Sequence, residues 1–166
     1  MQHFYSSSLV VCMLLAANLP IIAATTQNTF SVTASTVGKC TISANELAFN
    51  TTIPTPIVII PEATGTLVIF CSSDGQGEVS LSQGAGIGAS CADRRMTPAA
   101  GGEGFLKYQL YRDQGGSTIF GDGVTCGATQ LFDTSTGYVY VYGRLIAPQS
   151  PAPGLYSDTI TATITF

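Results

Sequence analysis

The sequence predicts an all-β protein, a sandwich or barrel of short strands, and three observations lead to that prediction. Apolar and polar residues alternate with a period of two in several segments, and no segment sustains the 3.6-residue period of a helix. Turn-forming sequences separate these segments, and the chain contains 18 glycines. Only 10% of the 166 residues are charged whereas 45% are hydrophobic, which suffices for the core of one domain. Many short strands at such spacing are typical of sandwiches and barrels.

The first 24 residues have the pattern of a secretory signal peptide. An uncharged apolar run covers residues 9–24, is interrupted by Asn18 and Pro20, and ends in small residues, which favours cleavage after Ala24. A membrane anchor is the alternative, but the run is short for a membrane span. We therefore expect an exported chain whose mature part begins at residue 25.

Four cysteines remain after the signal segment: Cys40, Cys71, Cys91 and Cys126. An even number in an exported chain predicts two disulfides, and four cysteines allow three connectivities. We favour Cys40–Cys71 and Cys91–Cys126, because sequential elements of a sheet are usually neighbours. Each bond closes a loop of about thirty residues, which is worth about 3–4 kcal/mol in the chain-entropy model.

Strands are predicted along the whole mature chain. They cover residues 29–36, 46–49, 56–60, 65–71, 78–82, 105–111, 138–144 and 155–166. The strands at 46–49 and 56–60 are short and flanked by prolines, which predicts edge positions. The run at 65–71 is almost continuously apolar, which predicts a strand buried on both faces.

The C-terminal segment shows the clearest alternation. Its Ser and Thr residues point to one side and its apolar residues to the other, with Asp158 as a polar exception on the apolar side. The apolar set is Tyr156, Ile160, Ala162, Ile164 and Phe166. This pattern predicts one strand with one buried face, roughly 40 Å long at about 3.3 Å per residue. No partner strand follows it, so the pattern leaves open what pairs with its free edge.

The residue inventory indicates that the protein is not an enzyme. The single histidine, His3, lies in the signal segment, so the mature chain lacks the imidazole of a catalytic triad or of a His-ligated zinc site. Asp74 and Asp122 lie in turn sequences without the ligand spacing of a calcium loop, and the glycine-rich stretch 84–90 is not followed by a helix. The net charge is −4 and the basic residues form no cluster. We expect no cofactor, no metal and no nucleic-acid partner.

Three tyrosines, Tyr138, Tyr140 and Tyr142, fall on one face of a predicted strand. Such a face could stack against sugars, but a face packed under a loop is the favoured interpretation. An exposed sugar-stacking face would suit a monomeric secreted carbohydrate-binding sandwich, which is the alternative function from another class.

Several stretches of the mature chain resemble the spore coat protein U domain, a family that includes the Csu-type pilins of archaic chaperone–usher pili. The stretches are FSVTASTVGKCTIS, VIFCSSDG, RRM, LKYQLYRD, FGDG, YGR and PAPGLYSDTITATITF. The resemblance covers residues 29–166. Its most specific parts are Arg95-Met96 followed by Tyr108, Leu110, Tyr111 and Asp113, together with the terminal pattern GxYxDxxxxxxxF.

The resemblance implies an incomplete immunoglobulin-like β-sandwich that is completed by donor-strand complementation. The sandwich would occupy residues 38–166. Its acceptor groove would be bordered, and a chaperone anchored, by Ile160, Ala162, Ile164 and Phe166. Residues 25–37 would be a donor strand that fills the groove of a neighbouring subunit. The donor side chains would be Phe30, Val32, Ala34 and Thr36. An ordinary first strand of the same domain is the alternative for this segment.

The resemblance also implies partners and a location. A periplasmic chaperone would cover the groove and bind the carboxylate of Phe166, an outer-membrane usher would direct assembly, and other pilin subunits would join head to tail. The expected function is a structural subunit of a surface pilus or fimbria that supports adhesion or biofilm formation. A spore or cyst coat protein built from the same domain is the alternative within the family.

Overall fold

Nine β-strands and no helix are found in the computed structural model, which describes residues 31–35, 37–49, 52–72, 75–133 and 137–166. The strands are β1 (Cys40–Ala44), β2 (Glu62–Cys71), β3 (Gln76–Leu81), β4 (Arg94–Pro98), β5 (Leu106–Tyr111), β6 (Gln130–Asp133), β7 (Tyr138–Leu145), β8 (Tyr156–Ser157) and β9 (Ala162–Thr165). The all-β prediction is confirmed. All nine strands belong to the unit Thr36–Phe166, whereas Met1–Ser35 is a separate unit. Within the described residues, no helix is long and apolar enough to span a membrane.

The strands form two antiparallel sheets. The larger has the order β1-β2-β7-β5-β4-β8 and the smaller the order β6-β3-β9. Buried side chains from both sheets form one cluster, which is the two-layer architecture of a β-sandwich. The cluster consists of Ile57, Leu67, Ile69, Val79, Leu81, Leu106, Tyr108, Leu110, Phe120, Phe132, Val139, Val141 and Leu145.

Each sheet of a two-layer sandwich has one buried face and one face towards solvent. In β2, Leu67 and Ile69 are buried whereas Phe70 is 70% exposed, so the prediction that residues 65–71 are buried on both faces is wrong. In β7, Tyr138 and Tyr140 are 59% and 54% exposed. The favoured interpretation of the tyrosine face as one packed under a loop is therefore wrong for these two residues.

Four of the eight predicted strands correspond to strands of the structure. The predicted strands at 65–71, 78–82, 105–111 and 138–144 correspond to β2, β3, β5 and β7. The segments 46–49 and 56–60 are not strands, and Ile57 forms only an isolated bridge with Gln149. Most of the predicted first strand at 29–36 is described, as residues 31–35, and these have no regular secondary structure. The predicted signal segment lies outside the described residues.

The C-terminal segment is not the single long strand that its alternation predicts. Its first part, β8, pairs with β4 in the larger sheet, whereas β9 pairs with β3 in the smaller one. The alternation continues across this change of sheet. The half-buried residues are Tyr156, Ile160, Ala162 and Ile164, and the Ser and Thr residues between them are exposed. Asp158 lies at the crossing point, which accounts for a polar residue on the apolar side.

Both predicted disulfides are present. Cys40 and Cys71 lie directly opposite each other in the register of β1 and β2, with their Cα atoms 4.1 Å apart. Cys91 lies before β4 and is bonded to Cys126, which precedes β6, with a Cα–Cα distance of 5.7 Å. The first bond joins consecutive strands, as the argument from sequential elements predicts. The second joins two loops that are separated in the chain by β4 and β5.

Arg94 of β4 is fully buried and connects both sheets. Its guanidinium donates to the backbone carbonyl oxygens of Ser82 at 2.8 Å, Phe120 at 2.9 Å and Cys91 at 3.3 Å, and to the side-chain oxygen of Gln109. Burial lowers the pKa of Arg94 from its ordinary value, but a guanidinium keeps its proton in proteins. The interior of this sandwich thus depends on one charged group whose donors satisfy backbone acceptors.

Replacing Arg94 with Met should destabilise the fold by about 3 kcal/mol or more, because hydrogen bonds to a charged group are worth about 1.5–3 kcal/mol and their loss leaves buried acceptors unsatisfied. The matched control is Arg95→Met. Arg95 is partly exposed and forms an ion pair with Asp93, a type of pair that contributes about 0–1 kcal/mol. Urea unfolding of the disulfide-bonded chain measures both values. Equal losses in the two variants would contradict the role assigned to Arg94.

Candidate functional site

An apolar cleft opens between the two sheets. Its volume is about 940 Å³, at the upper end of the range of protein ligand pockets. Core side chains of the larger sheet form its floor. These floor residues are Leu67, Leu106, Tyr108, Leu110, Val141 and Leu145. The floor of the cleft is therefore made of buried side chains of the hydrophobic core.

Two irregular stretches, residues 45–49 and 52–53, form one wall of this cleft. Leu47 and Phe49 point inwards and lie against two glycines of the larger sheet. A Cβ atom at Gly143 would lie 2.8 Å from Leu47 and 3.1 Å from Phe49, and one at Gly65 would lie 3.1 Å from Leu47. The glycines thus allow this close approach. The backbone N–H of Asn45 donates to Thr66 of β2 at 3.0 Å, and the rest of this wall contributes apolar side chains and belongs to no strand.

The C-terminal segment forms the other wall and ends in a strand with one open edge. β9 pairs with β3 from Ala162 opposite Leu81 to Thr165 opposite Glu78. In the part of the chain that the structure describes, no strand pairs with its other edge. An open edge presents unpaired N–H and C=O groups, and it can accept a further strand. Here that edge adjoins an apolar cleft.

The four residues predicted to border an acceptor groove differ in position. Ile160 and Ala162 line the cleft. Ile164 is half-buried and packs against the core cluster, while Phe166 is 61% exposed. The structure thus brings Ile160 and Ala162 to the cleft, whereas Ile164 lies further along β9 and Phe166 follows the end of that strand.

The assignment of a donor strand to residues 25–37 stays a prediction. Phe30 and Thr36 lie outside the described residues. Val32 and Ala34 lie in the short described stretch 31–35, where both side chains are exposed.

Asp158 fixes the point at which the terminal segment crosses between the sheets. Its carboxylate accepts the hydroxyl of Tyr108 at 2.6 Å and the backbone N–H groups of Ala85 at 2.7 Å and Gly86 at 3.1 Å. Burial, together with the hydrogen bond to Asp158, raises the pKa of Tyr108 far above its ordinary value. A Cβ atom at Gly84 would lie 2.2 Å from Asp158, so the glycine-rich loop leaves room for this carboxylate. The contact of this loop with Asp158 was not predicted from the sequence.

Asp122 closes a turn, as predicted. Its carboxylate accepts the hydroxyl of Thr125 and the backbone N–H groups of Val124, Thr125 and Cys126, and these bonds lower its pKa. Asp74, the other aspartate considered as a calcium ligand and assigned to a turn, lies outside the described residues. Among the residues described, no three acidic, histidine or cysteine side chains are grouped so that they could hold a metal ion.

Comparison with solved structures identifies the fold. The protein shares 20% identity and a TM-score of 0.54 with a structure of the CsuC–CsuE chaperone–tip adhesion subunit pre-assembly complex from archaic chaperone–usher Csu pili of Acinetobacter baumannii. The match covers 78% of this chain and only 40% of the matched chain. The minor tip subunit HdaB of the Escherichia coli Hda pilus matches at 16% identity and a TM-score of 0.46, over 75% of this chain and 79% of its own. The first match confirms an immunoglobulin-like sandwich.

Comparison of sequences identifies the family. Protein U of Myxococcus xanthus is 33% identical to this chain in an alignment 167 positions long, which covers 92% of this chain and 91% of Protein U. The family model of the Spore Coat Protein U domain matches residues 26–163. The chain therefore belongs to the Spore Coat Protein U domain family.

Proposed function

We propose that this protein is a structural subunit of a surface pilus or fimbria, that it is assembled by a chaperone–usher pathway, and that it polymerises by donor-strand exchange. The observation that carries the proposal is the apolar cleft beside the open edge of β9. The fold shared with a chaperone–usher tip adhesion subunit, described in complex with its chaperone, supports the same proposal.

The cleft is suited to an extended strand whose alternate side chains are apolar. Residues 25–37 have that pattern, with Phe30, Val32 and Ala34 on one side. Burial of a large apolar side chain contributes about 1.5–3 kcal/mol, and the open edge of β9 supplies backbone hydrogen bonds along the added strand. The donor of one subunit would thus fill the cleft of the next and complete its sandwich.

The same features require protection before assembly. An exposed apolar cleft next to an unpaired strand edge is a site of aggregation. A periplasmic chaperone that lends a strand would cover both, and an outer-membrane usher would replace it with the donor of another subunit. Each subunit gives one strand and accepts one, and this head-to-tail contact produces a filament.

The proposal assigns the parts of the chain to successive steps. Residues 1–24 direct export and are removed, residues 25–37 form the donor, and residues 38–166 form the acceptor domain. Phe166, which is exposed, is accessible to the basic residues of a chaperone. The protein passes through the periplasm, is assembled at the cell surface, and there supports adhesion or biofilm formation.

A coat protein of spores or cysts is the second candidate. The family description and the 33% identity to Protein U favour it. Both candidate functions involve the same donor-strand assembly, so the place where the protein accumulates in the cell distinguishes them. Immunogold labelling of thin fibres on growing cells would support the pilus, and labelling confined to the surface of spores or cysts would support the coat.

We expect the mature chain alone to aggregate or to polymerise through its own N-terminal segment. A copy of residues 25–37 fused to the C-terminus through a flexible linker should give a soluble and stable monomer, because the added strand can fill the cleft of the same molecule. Size-exclusion chromatography and urea unfolding measure the change. The control fusion carries Phe30→Asp and Val32→Asp in the added copy and should not rescue. A stable two-state monomer of residues 38–166, unaffected by the fusion, would sink the idea of an incomplete sandwich.

Substitutions in the donor should follow the parity of a strand. Phe30→Asp or Val32→Asp should abolish surface fibres, because each removes about 2–3 kcal/mol of apolar burial and introduces an unpaired charge. Ser31→Asp and Thr33→Asp lie on the opposite face and should have little effect. Electron microscopy counts the fibres, and recovery of the chaperone complex shows that each variant reached the periplasm. Equal sensitivity at odd and even positions would exclude this segment as the donor.

A further inference from the structure

Three consecutive β-branched side chains project from the loop that precedes β2. Val58, Ile59 and Ile60 are 71%, 72% and 55% exposed, and they are called the 58–60 loop below. A run of three exposed apolar residues is unfavourable on a protein surface unless it has a function, and such a patch commonly marks an interaction site.

The 58–60 loop is held in place by backbone pairing on both sides. Ile57 and Gln149 exchange two backbone hydrogen bonds, at 2.8 and 3.2 Å, and the N–H of Leu145 donates to Pro61 at 3.0 Å. These bonds continue the pairing of β2 with β7 beyond the ends of both strands. The three apolar side chains are therefore presented to solvent by an ordered backbone.

The 58–60 loop begins at the rim of the apolar cleft. Ile57 is buried and lines that cleft, whereas the three residues after it do not. β2 leads away from the loop, β3 returns towards it, and β9 starts opposite Leu81, the last residue of β3. The loop and the start of β9 thus lie at the same end of the sandwich.

The direction of an added strand follows from the strand that it would join, and this step rests on the proposed function. All pairings between the strands of the described residues are antiparallel, and antiparallel pairing is the more stable arrangement. A donor antiparallel to β9 would have its C-terminal end at the start of β9. That end of the donor would therefore leave the cleft beside the 58–60 loop.

The linker after the donor is too short to separate two domains. Only Gly38 and Lys39 lie between the donor segment and Cys40, the first residue of β1. Two extended residues span about 7 Å. The domain that provides a donor must therefore lie directly against the end of the domain that receives it, which is the end with the 58–60 loop.

The end of the domain that provides the donor also carries apolar groups. Val37, at the end of the donor segment, is 92% exposed, and Phe70, next to Cys71, is 70% exposed. We propose that the 58–60 loop packs against the copy of this chain that inserts its donor into the same cleft, and that Val37 of that copy is one of its contacts. Neighbouring subunits then share an apolar contact in addition to the donor strand, and its burial is favourable.

Fibres polymerised from the purified mature chain test this contact, because every neighbour is then a second copy. In a variant with Val37→Cys and Ile59→Cys, oxidation should join neighbouring subunits into a ladder of covalent multimers on a non-reducing denaturing gel. The matched control combines Val37→Cys with Leu131→Cys. Leu131 is also an exposed apolar residue but lies opposite Glu78, towards the other end of the sandwich, so this control should give no multimers.

A photoreactive benzophenone side chain at position 59 tests the same contact without a new thiol. Mass spectrometry of the cross-linked peptides should identify residues 37–39 of the neighbouring copy. Fibres without covalent multimers, photoproducts that map elsewhere, or loss of fibres in Ile59→Cys alone would overturn the inference, because strand exchange itself does not require this contact. A wild-type chain that forms no fibres would instead contradict the proposed function on which the contact depends.

Discussion

The open edge of β9, next to an apolar cleft, is the constraint on which the rest of this structure depends. Within the described residues, β9 has a partner on one side only, and the side chains that a further strand would cover are part of the core. Without a further strand, burial of the apolar cleft would still be favourable. The open edge of β9 also has backbone groups that can pair with one more strand. Both requirements are met by the same partner, an extended segment with alternating apolar residues.

An acceptor cleft must keep its shape while it lacks that partner. Polar contacts and a disulfide hold the surrounding strands and loops in place. The buried guanidinium of Arg94 donates hydrogen bonds to the backbone carbonyl groups of Ser82 and Phe120, and so links separate segments of the chain. Asp158 fixes the crossing point of the terminal segment through Tyr108 and the glycine-rich loop. The Cys40–Cys71 disulfide holds β1 to β2. These contacts do not depend on a complete hydrophobic core, so they can stabilise the sandwich before it is filled.

Sequence reasoning predicted the parts that local pattern determines and missed those that depend on distant partners. The strand β7 was predictable because the period of its own residues shows it. The disulfides were predictable because an exported chain with four cysteines allows only three pairings. The crossing at Asp158 was not, because period-two alternation is unchanged when a strand moves from one sheet to the other. β4 was missed because its sequence contains Arg94, and a buried arginine contradicts the usual pattern. The wall formed by residues 45–49 and 52–53 belongs to no strand, and its role is visible only from the contacts of its side chains.

Amide hydrogen exchange of β9 tests the central claim most directly. Because the unfilled domain is expected to aggregate, residues 38–166 would be kept dilute and compared with and without a peptide of residues 25–37, and mass spectrometry with fragmentation would resolve the single amides. Without the peptide, β9 amides that point away from β3 should exchange rapidly while those that bond to β3 are protected; with it, both sets should be protected. Outward amides that are already protected in the free domain, or that stay unprotected when the peptide is bound, would contradict an open strand edge as the acceptor site.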